Sequence, residues 1–147
     1  MINVVEASID DLEKIVQIDG EVIGNTSRRN YIENSIKFGK CIVAKENEDF
    51  VGFLIYNVNF FECAFISLII VSPSSRRKGY ASLLMDYLVS SSPTTKVFSS
   101  TNRSNINMQS VFEKNGFVKS GVVDNLDEGD AEIIYFKSKL SCLPKGD

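Results

Sequence analysis

The chain has 147 residues, 44% hydrophobic and 24% charged, which suits one globular domain with a single core. Its net charge of −3 argues against a protein that grips nucleic-acid phosphates. It contains no histidine, so Ser-His-Asp and Cys-His catalysis are excluded and a zinc site lacks its usual ligands.

In chain order, Ile2–Glu6 reads as a short strand. Ser8 and Asp11 form an S-x-x-D capping box ahead of Leu12, Ile15 and Val16 at helical spacing. Asn25–Thr26 caps a second predicted helix that carries Ile32 and Ile36 and stops near Gly39. Lys40–Ala44 and Phe50–Val58 read as a hairpin across the polar turn ENED. Residues 62–71 form an apolar strand ended by Pro73, with both faces apolar as in a central strand covered on two sides. A helix from about Arg77 to Val89 follows, and SSSP breaks it. Thr95–Thr101 is the next strand. Asn105 caps a helix with Met108, Val111 and Phe112, closed by Gly116 in a left-handed cap. Phe117–Val123 and Ala131–Ser138 make a last hairpin across DNLDEGD, and the tail after about residue 139 reads as frayed. The order β-α-α-β-β-β-α-β-α-β-β predicts an α/β (α+β) fold, a mixed sheet of about seven strands with helices on both faces, as one domain over residues 1–147.

The N-terminus has neither a basic stretch nor an apolar core of signal-peptide type. The longest apolar run, from Phe60 to Val71, is shorter than the ~20 residues that span a bilayer, and Glu62 interrupts it. Cys41, Cys63 and Cys142 are odd in number and far apart, with Cys41 and Cys63 in apolar runs. They read as reduced thiols, and the expectation is a cytoplasmic protein with no membrane, nucleic-acid or metal partner.

The stretch VSPSSRRKGYASLL carries the first chemical signal. A strand end, a glycine-containing loop and a helix start expose N–H groups without intrahelical partners. Arg76, Arg77 and Lys78 add attraction for an anion, and Gly79 permits close approach of backbone to phosphate. On its own the pattern equally fits a solvated basic helix start. The second signal is NINMQSVFEKNGF, residues 105–117. Together, V-x-P-x-x-R-R-K-G-Y-A and this later motif resemble the signatures of the GNAT superfamily, the Gcn5-related N-acetyltransferases, of bacterial type. The resemblance runs from Ile2 to about Ser138. It implies a mostly antiparallel central sheet and a chain that is a monomer or a homodimer.

The resemblance also implies acetyl-CoA as co-substrate and an acyl-CoA-dependent N-acyltransferase. A primary amine attacks the thioester directly and forms a tetrahedral intermediate. Backbone from Arg77 to Ala81, including Lys78, Gly79 and Tyr80, would hold the pyrophosphate beside Arg76. Ile69 and Val71 would bond the pantetheine arm, and N–H groups of Ile70 or Val71 would polarise the thioester carbonyl. Asn105 would contact pantetheine, Phe112 the sulfur region and Lys114 the nucleotide phosphate. As plain structure, the same three residues read as an N-cap, a core aromatic and a solvated lysine.

The chain departs from the family in three places. Tyr80 stands where a small or aliphatic residue is usual. Phe112 replaces a tyrosine whose hydroxyl protonates the departing thiolate. Ser100 stands where some relatives carry a carboxylate base. The candidates to take the amine's proton are then Glu62, Asp130 and Glu132. Glu62 is a candidate base if the apolar run desolvates it, although a carboxylate there reads more readily as an exposed strand end. The acidic turn DNLDEGD suits either a solvated hairpin or the recruitment of a cationic acceptor such as a polyamine, an aminoglycoside or a lysine side chain. The alternative to an enzyme is an acyl-CoA-binding or regulatory module with little turnover.

Overall fold

The computed structural model describes residues 1–142, with side chains as far as Leu140. Its elements are β1 (Ile2–Glu6), α1 (Leu12–Ile23), α2 (Arg29–Lys37), β2 (Cys41–Glu46), β3 (Asp49–Phe60), β4 (Cys63–Val71), α3 (Tyr80–Ser91), β5 (Lys96–Asn102), α4 (Ile106–Lys114), β6 (Val118–Val123) and β7 (Glu132–Ser138). The strands form one seven-stranded sheet in the order β1-β2-β3-β4-β5-β7-β6. β4 and β5 run parallel, while β1–β2, β2–β3, β5–β7 and β6–β7 are antiparallel. The mixed, mostly antiparallel sheet and the element order are those expected from the sequence.

By packing, the chain divides into two units: Met1–Tyr56 with Leu68–Leu88, and Asn57–Ser67 with the chain from Val89 onward. In the first unit the capping box forms as read. The Asp11 carboxylate accepts the Ser8 N–H at 2.9 Å, and a 3-10 turn over Ile9–Asp11 leads into α1. α1 ends at Gly24, whose φ of +83° only glycine adopts without strain. α2 starts at Arg29, later than expected. The reason is local: the Asn25 side chain accepts the Ser27 N–H at 2.9 Å and makes a turn where the sequence suggested a cap. Leu12, Ile15, Val16 and Ile18 of α1 and Ile32 and Ile36 of α2 cluster with Cys41, Val43, Phe53 and Ile55. On the other face of β3, a Cβ built at Gly52 would meet Leu84 of α3. Phe53 and Gly52 point oppositely, so this unit has helices on both faces of its strands. The β2–β3 turn has two residues, Asn47 and Glu48, rather than four, with Glu46 opposite Asp49 and Asn47 at φ +57°.

Within the second unit β4 pairs with β5 over Ala64–Ile66 and Val97–Ser99. The Ser99 hydroxyl adds a 2.8 Å bond to the Ile66 carbonyl. Phe112 of α4 stacks on Tyr135 at 4.8 Å between ring centres and lies 5.4 Å from Phe117. α4 closes as expected: Gly116 has φ +85°, and the Phe117 N–H reaches the Phe112 carbonyl at 3.0 Å. β6 carries a bulge between Lys119 and Gly121. Lys139–Cys142 form a 3-10 turn, and the Lys139 ammonium donates to the Ser92 carbonyl at 2.7 Å. Residues 143–147, the rest of the tail expected to fray, lie outside the described residues.

Two expectations are corrected. Glu62 does not belong to the strand. Phe61 and Glu62 both have positive φ, +50° and +65°, and turn β3 into β4. β4 is also not covered on both faces along its length. Ala64 and Ile66 are buried, but Ser67 is exposed and Leu68 to Val71 are half-buried. The buried positions are those of the short parallel ladder with β5.

Candidate acyl-CoA site

β4 ends at Val71, and the chain is pinned there. The Ser72 N–H donates to the Val51 carbonyl at 2.8 Å, and Ser72 itself is buried. Pro73–Ser75 make a 3-10 turn. Arg76, Arg77, Lys78 and Gly79 follow as four exposed residues in succession. The helix expected from Arg77 begins only at Tyr80. The cause is conformational, since Arg77 at φ +66° and Gly79 at φ +84° are left-handed and cannot belong to a right-handed helix. For a non-glycine residue such as Arg77 that geometry costs about 1–2 kcal/mol. A left-handed arginine carries no sequence signature, and reading by residue type missed it. Gly79 is then the residue that opens α3, its carbonyl accepting the Leu83 N–H at 3.1 Å.

Three properties of this loop suit a polyphosphate. N–H groups of the first helical turn, from Tyr80 and Ala81 on, have no partner within the helix. A Cβ built at Gly79 meets no atom within 4 Å, so the space beside its backbone is open. Among the described residues none of Arg76, Arg77 and Lys78 forms an ion pair. Three like charges in a row without a counter-ion favour an anionic ligand. Ile69, Ile70 and Val71 belong to the same unit, at the half-buried end of β4.

Glu62 lies in the second unit. It precedes the first residue of β4, whereas Ile70 and Val71 close that strand. Glu62 is exposed on the turn that leads into β4, which matches the reading of an exposed strand-end carboxylate.

Asn105, Phe112 and Lys114 lie in the second unit. Asn105 is exposed, and its side chain accepts the Met108 N–H at 3.1 Å as the N-cap of α4. Lys114 ends that helix, exposed. Phe112 is 1% exposed and packed between two aromatic rings, so the core reading of this residue holds. Tyr135, stacked on it, donates to Glu113 at 3.2 Å; burial first, then that bond, pushes its phenol up to about 12.

The structure adds two pairs that residue type alone did not give. The Ser100 hydroxyl donates to Glu132 at 2.6 Å. Position 100, which lacks a carboxylate, therefore holds one supplied by the neighbouring strand. In the first unit the Tyr80 hydroxyl donates to Glu46, which the sequence placed only in a polar turn. Asp130, the third candidate base, is engaged elsewhere, accepting the Ser104 N–H at 3.0 Å and the Ser104 hydroxyl at 2.5 Å.

A strand end, an exposed left-handed loop and a helix start are set in a mixed seven-stranded sheet and together suit a polyphosphate ligand. The family model described as "Acetyltransferase (GNAT) family" matches residues 9–117. The chain belongs to the GNAT acetyltransferase family, whose members use acetyl-CoA as co-substrate. A GNAT-family acetyltransferase from Bacillus cereus is 61% identical, with a TM-score of 0.92, over 95% of this chain and 99% of that one. Two more distant structures share the fold. A ribosomal-protein-alanine N-acetyltransferase from Brucella melitensis has 16% identity and a TM-score of 0.75, over 92% of this chain and 99% of that one. A spermidine N-acetyltransferase from Vibrio cholerae has 15% identity and a TM-score of 0.75, over 95% of both chains. No curated protein sequence matches the chain. Among the described residues no helix is long and apolar enough to cross a membrane.

Proposed function

We propose that this protein transfers the acetyl group of acetyl-CoA to a primary amine. The observation that carries the reading is the open, uncompensated cationic loop between Val71 and Tyr80, with free space beside the Gly79 backbone. Backbone N–H groups of Arg77 to Ala81 bind the pyrophosphate, with Arg76, Arg77 and Lys78 as its counter-charge. Ile69 and Val71 bond the pantetheine arm along β4. An N–H of Ile70 or Val71 stabilises the oxyanion as the amine nitrogen bonds to the acetyl carbon. The carbon–sulfur bond then breaks and CoA leaves. Asn105 bonds pantetheine and Lys114 meets the nucleotide phosphate.

An alkyl ammonium with a pKa near ~10.4 must lose a proton before it attacks. Glu132, oriented by Ser100, takes that proton directly or through water. The thiolate leaves without a tyrosine acid, because the conjugate thiol, with a pKa near ~8.5, is a fair leaving group at neutral pH. Calorimetry with acetyl-CoA tests donor binding. A thiol-trapping assay of CoA release tests transfer across a panel of amines, headed by spermidine and an alanine-terminated peptide, the acceptors named for the two distant fold relatives. Absence of binding heat removes the proposal.

A second reading, an acyl-CoA-binding module with little turnover, rests on Phe112, which is buried and has no hydroxyl. Turnover on any acceptor rejects it. Tight binding with no turnover across the panel supports it.

A further inference from the structure

We infer that Tyr80 and Glu46 form a clamp that holds the phosphate-binding loop in its bound shape before acetyl-CoA arrives. This inference rests on the assignment of that loop to acetyl-CoA.

Residues 76–79 are exposed, and two of them, Arg77 and Gly79, are left-handed. Exposed backbone of this kind holds one conformation only if its ends are held. At one end Ser72 is buried and bonded to the Val51 carbonyl. At the other end Tyr80 is 2% exposed, and its hydroxyl reaches across 34 positions of sequence to Glu46. The Glu46 backbone is itself held, because β2 is paired there on both sides, with Ile2 of β1 and Asp49 of β3. Tyr80 is the first residue of α3, so fixing its ring fixes where the first free N–H groups of the helix point. Glu46 and Lys78 also line one cavity of about 470 Å³, together with Lys14, Ser72 and Ser74. The bond to Glu46 raises the Tyr80 phenol pKa above its ordinary value, as a hydroxyl that donates to a carboxylate should show. A small or aliphatic residue at position 80 could seal the same space but would leave the Glu46 side chain without this donor. Tyr80 and Glu46 are thus positioning residues: they act on the ligand through the backbone that they hold.

The test combines amide hydrogen exchange of the unliganded protein with calorimetric acetyl-CoA affinity, for wild type, Tyr80→Phe, Glu46→Ala, Glu46→Gln and Tyr80→Phe/Glu46→Ala. Tyr80→Phe keeps the ring and removes only the donor. It is expected to speed exchange over residues 76–81 and to weaken acetyl-CoA about tenfold, the cost of binding to a loop that is no longer preorganised. Glu46→Ala should match it. Glu46→Gln, whose side-chain carbonyl still accepts the phenol, should stay within about twofold of wild type. The double variant should be no worse than either single one. If the loop loosens while acetyl-CoA affinity is unchanged, or if the two single losses add, the clamp is overturned. Failure of wild type to bind acetyl-CoA overturns the site assignment instead, and the exchange data still decide whether the tie holds the loop.

Discussion

Gly52 offers the most direct test of how the end of β4 is built. An added Cβ would lie 2.8 Å from the Ile70 carbonyl oxygen, 3.4 Å from the Val71 Cα and 3.4 Å from the Leu84 side chain. The first two neighbours are backbone and cannot rotate away, so either β3 or the end of β4 must move. Overpacking of this kind costs about 1–3 kcal/mol. Removing a glycine from a strand returns about 0.5–1 kcal/mol, because the unfolded chain loses freedom. The net loss for Gly52→Ala then centres on about 1 kcal/mol, which for a chain of this size lowers the melting temperature by about 2–4 °C. The control is Gly121→Ala, where the new Cβ meets nothing within 4 Å and the backbone is not left-handed. Thermal unfolding followed by circular dichroism compares the two. A Gly52→Ala protein that melts at or above wild type, or no lower than Gly121→Ala, refutes the argument. Displacement of Ile70 should also weaken acetyl-CoA in the folded variant.

Four further outcomes are expected. At Gly79 an added Cβ meets no protein atom within 4 Å, so Gly79→Val costs the free protein left-handed strain of about 1–2 kcal/mol, fills the space beside the cradle and should weaken acetyl-CoA by at least about tenfold in calorimetry. Arg28→Ala strands the Asp19 carboxylate, whose side chain is 2% exposed and now bonded at 2.5 and 3.0 Å; it should lower stability in urea by about 3–5 kcal/mol, more than Asp19→Ala, which leaves an arginine already 32% exposed to water. Burial, then Asp11, pushes the Cys41 thiol up to about 12, so above pH ~9 the unfolded chain releases a proton that the folded one keeps; stability present below that pH should fall by up to about 1.4 kcal/mol per unit as pH rises toward 12, and Cys41→Ala should remove this part of the slope and leave that of Tyr135. Once an acceptor is found, Glu132→Gln should lower kcat by about 10²-fold or more and alter its pH profile, whereas Glu62→Gln should leave both unchanged.

The element order was readable because each boundary has a local cause. The Ser8–Asp11 box, the Asn105 cap and Gly116 all act within a few residues of themselves. What the sequence hid depends on residues distant along the chain or on backbone that type does not announce. Glu62 lies in an apolar stretch, and only the paired left-handed angles of Phe61 and Glu62 remove it from the strand. The three cations could be seen, but Arg77 would have passed as an ordinary helix residue had its φ been negative. Tyr80 read as an oddity in a motif, because its reason is a glutamate 34 residues away. Ser100 read as a missing carboxylate for the same cause: its partner, Glu132, is on another strand.

The bulge in β6 has a consequence for behaviour in solution. β6 ends the sheet, all six of its residues are exposed, and Val118, Val122 and Val123 are apolar. A flat strand of that kind would template the addition of a foreign strand and seed fibres. The extra residue between Lys119 and Gly121 twists the edge and breaks the spacing that an incoming chain would have to match over its whole length. The lysine beside it would bring charge into any such junction. The same valines that make this border adhesive are thus split into two short pieces, which shortens the row that an added strand could match.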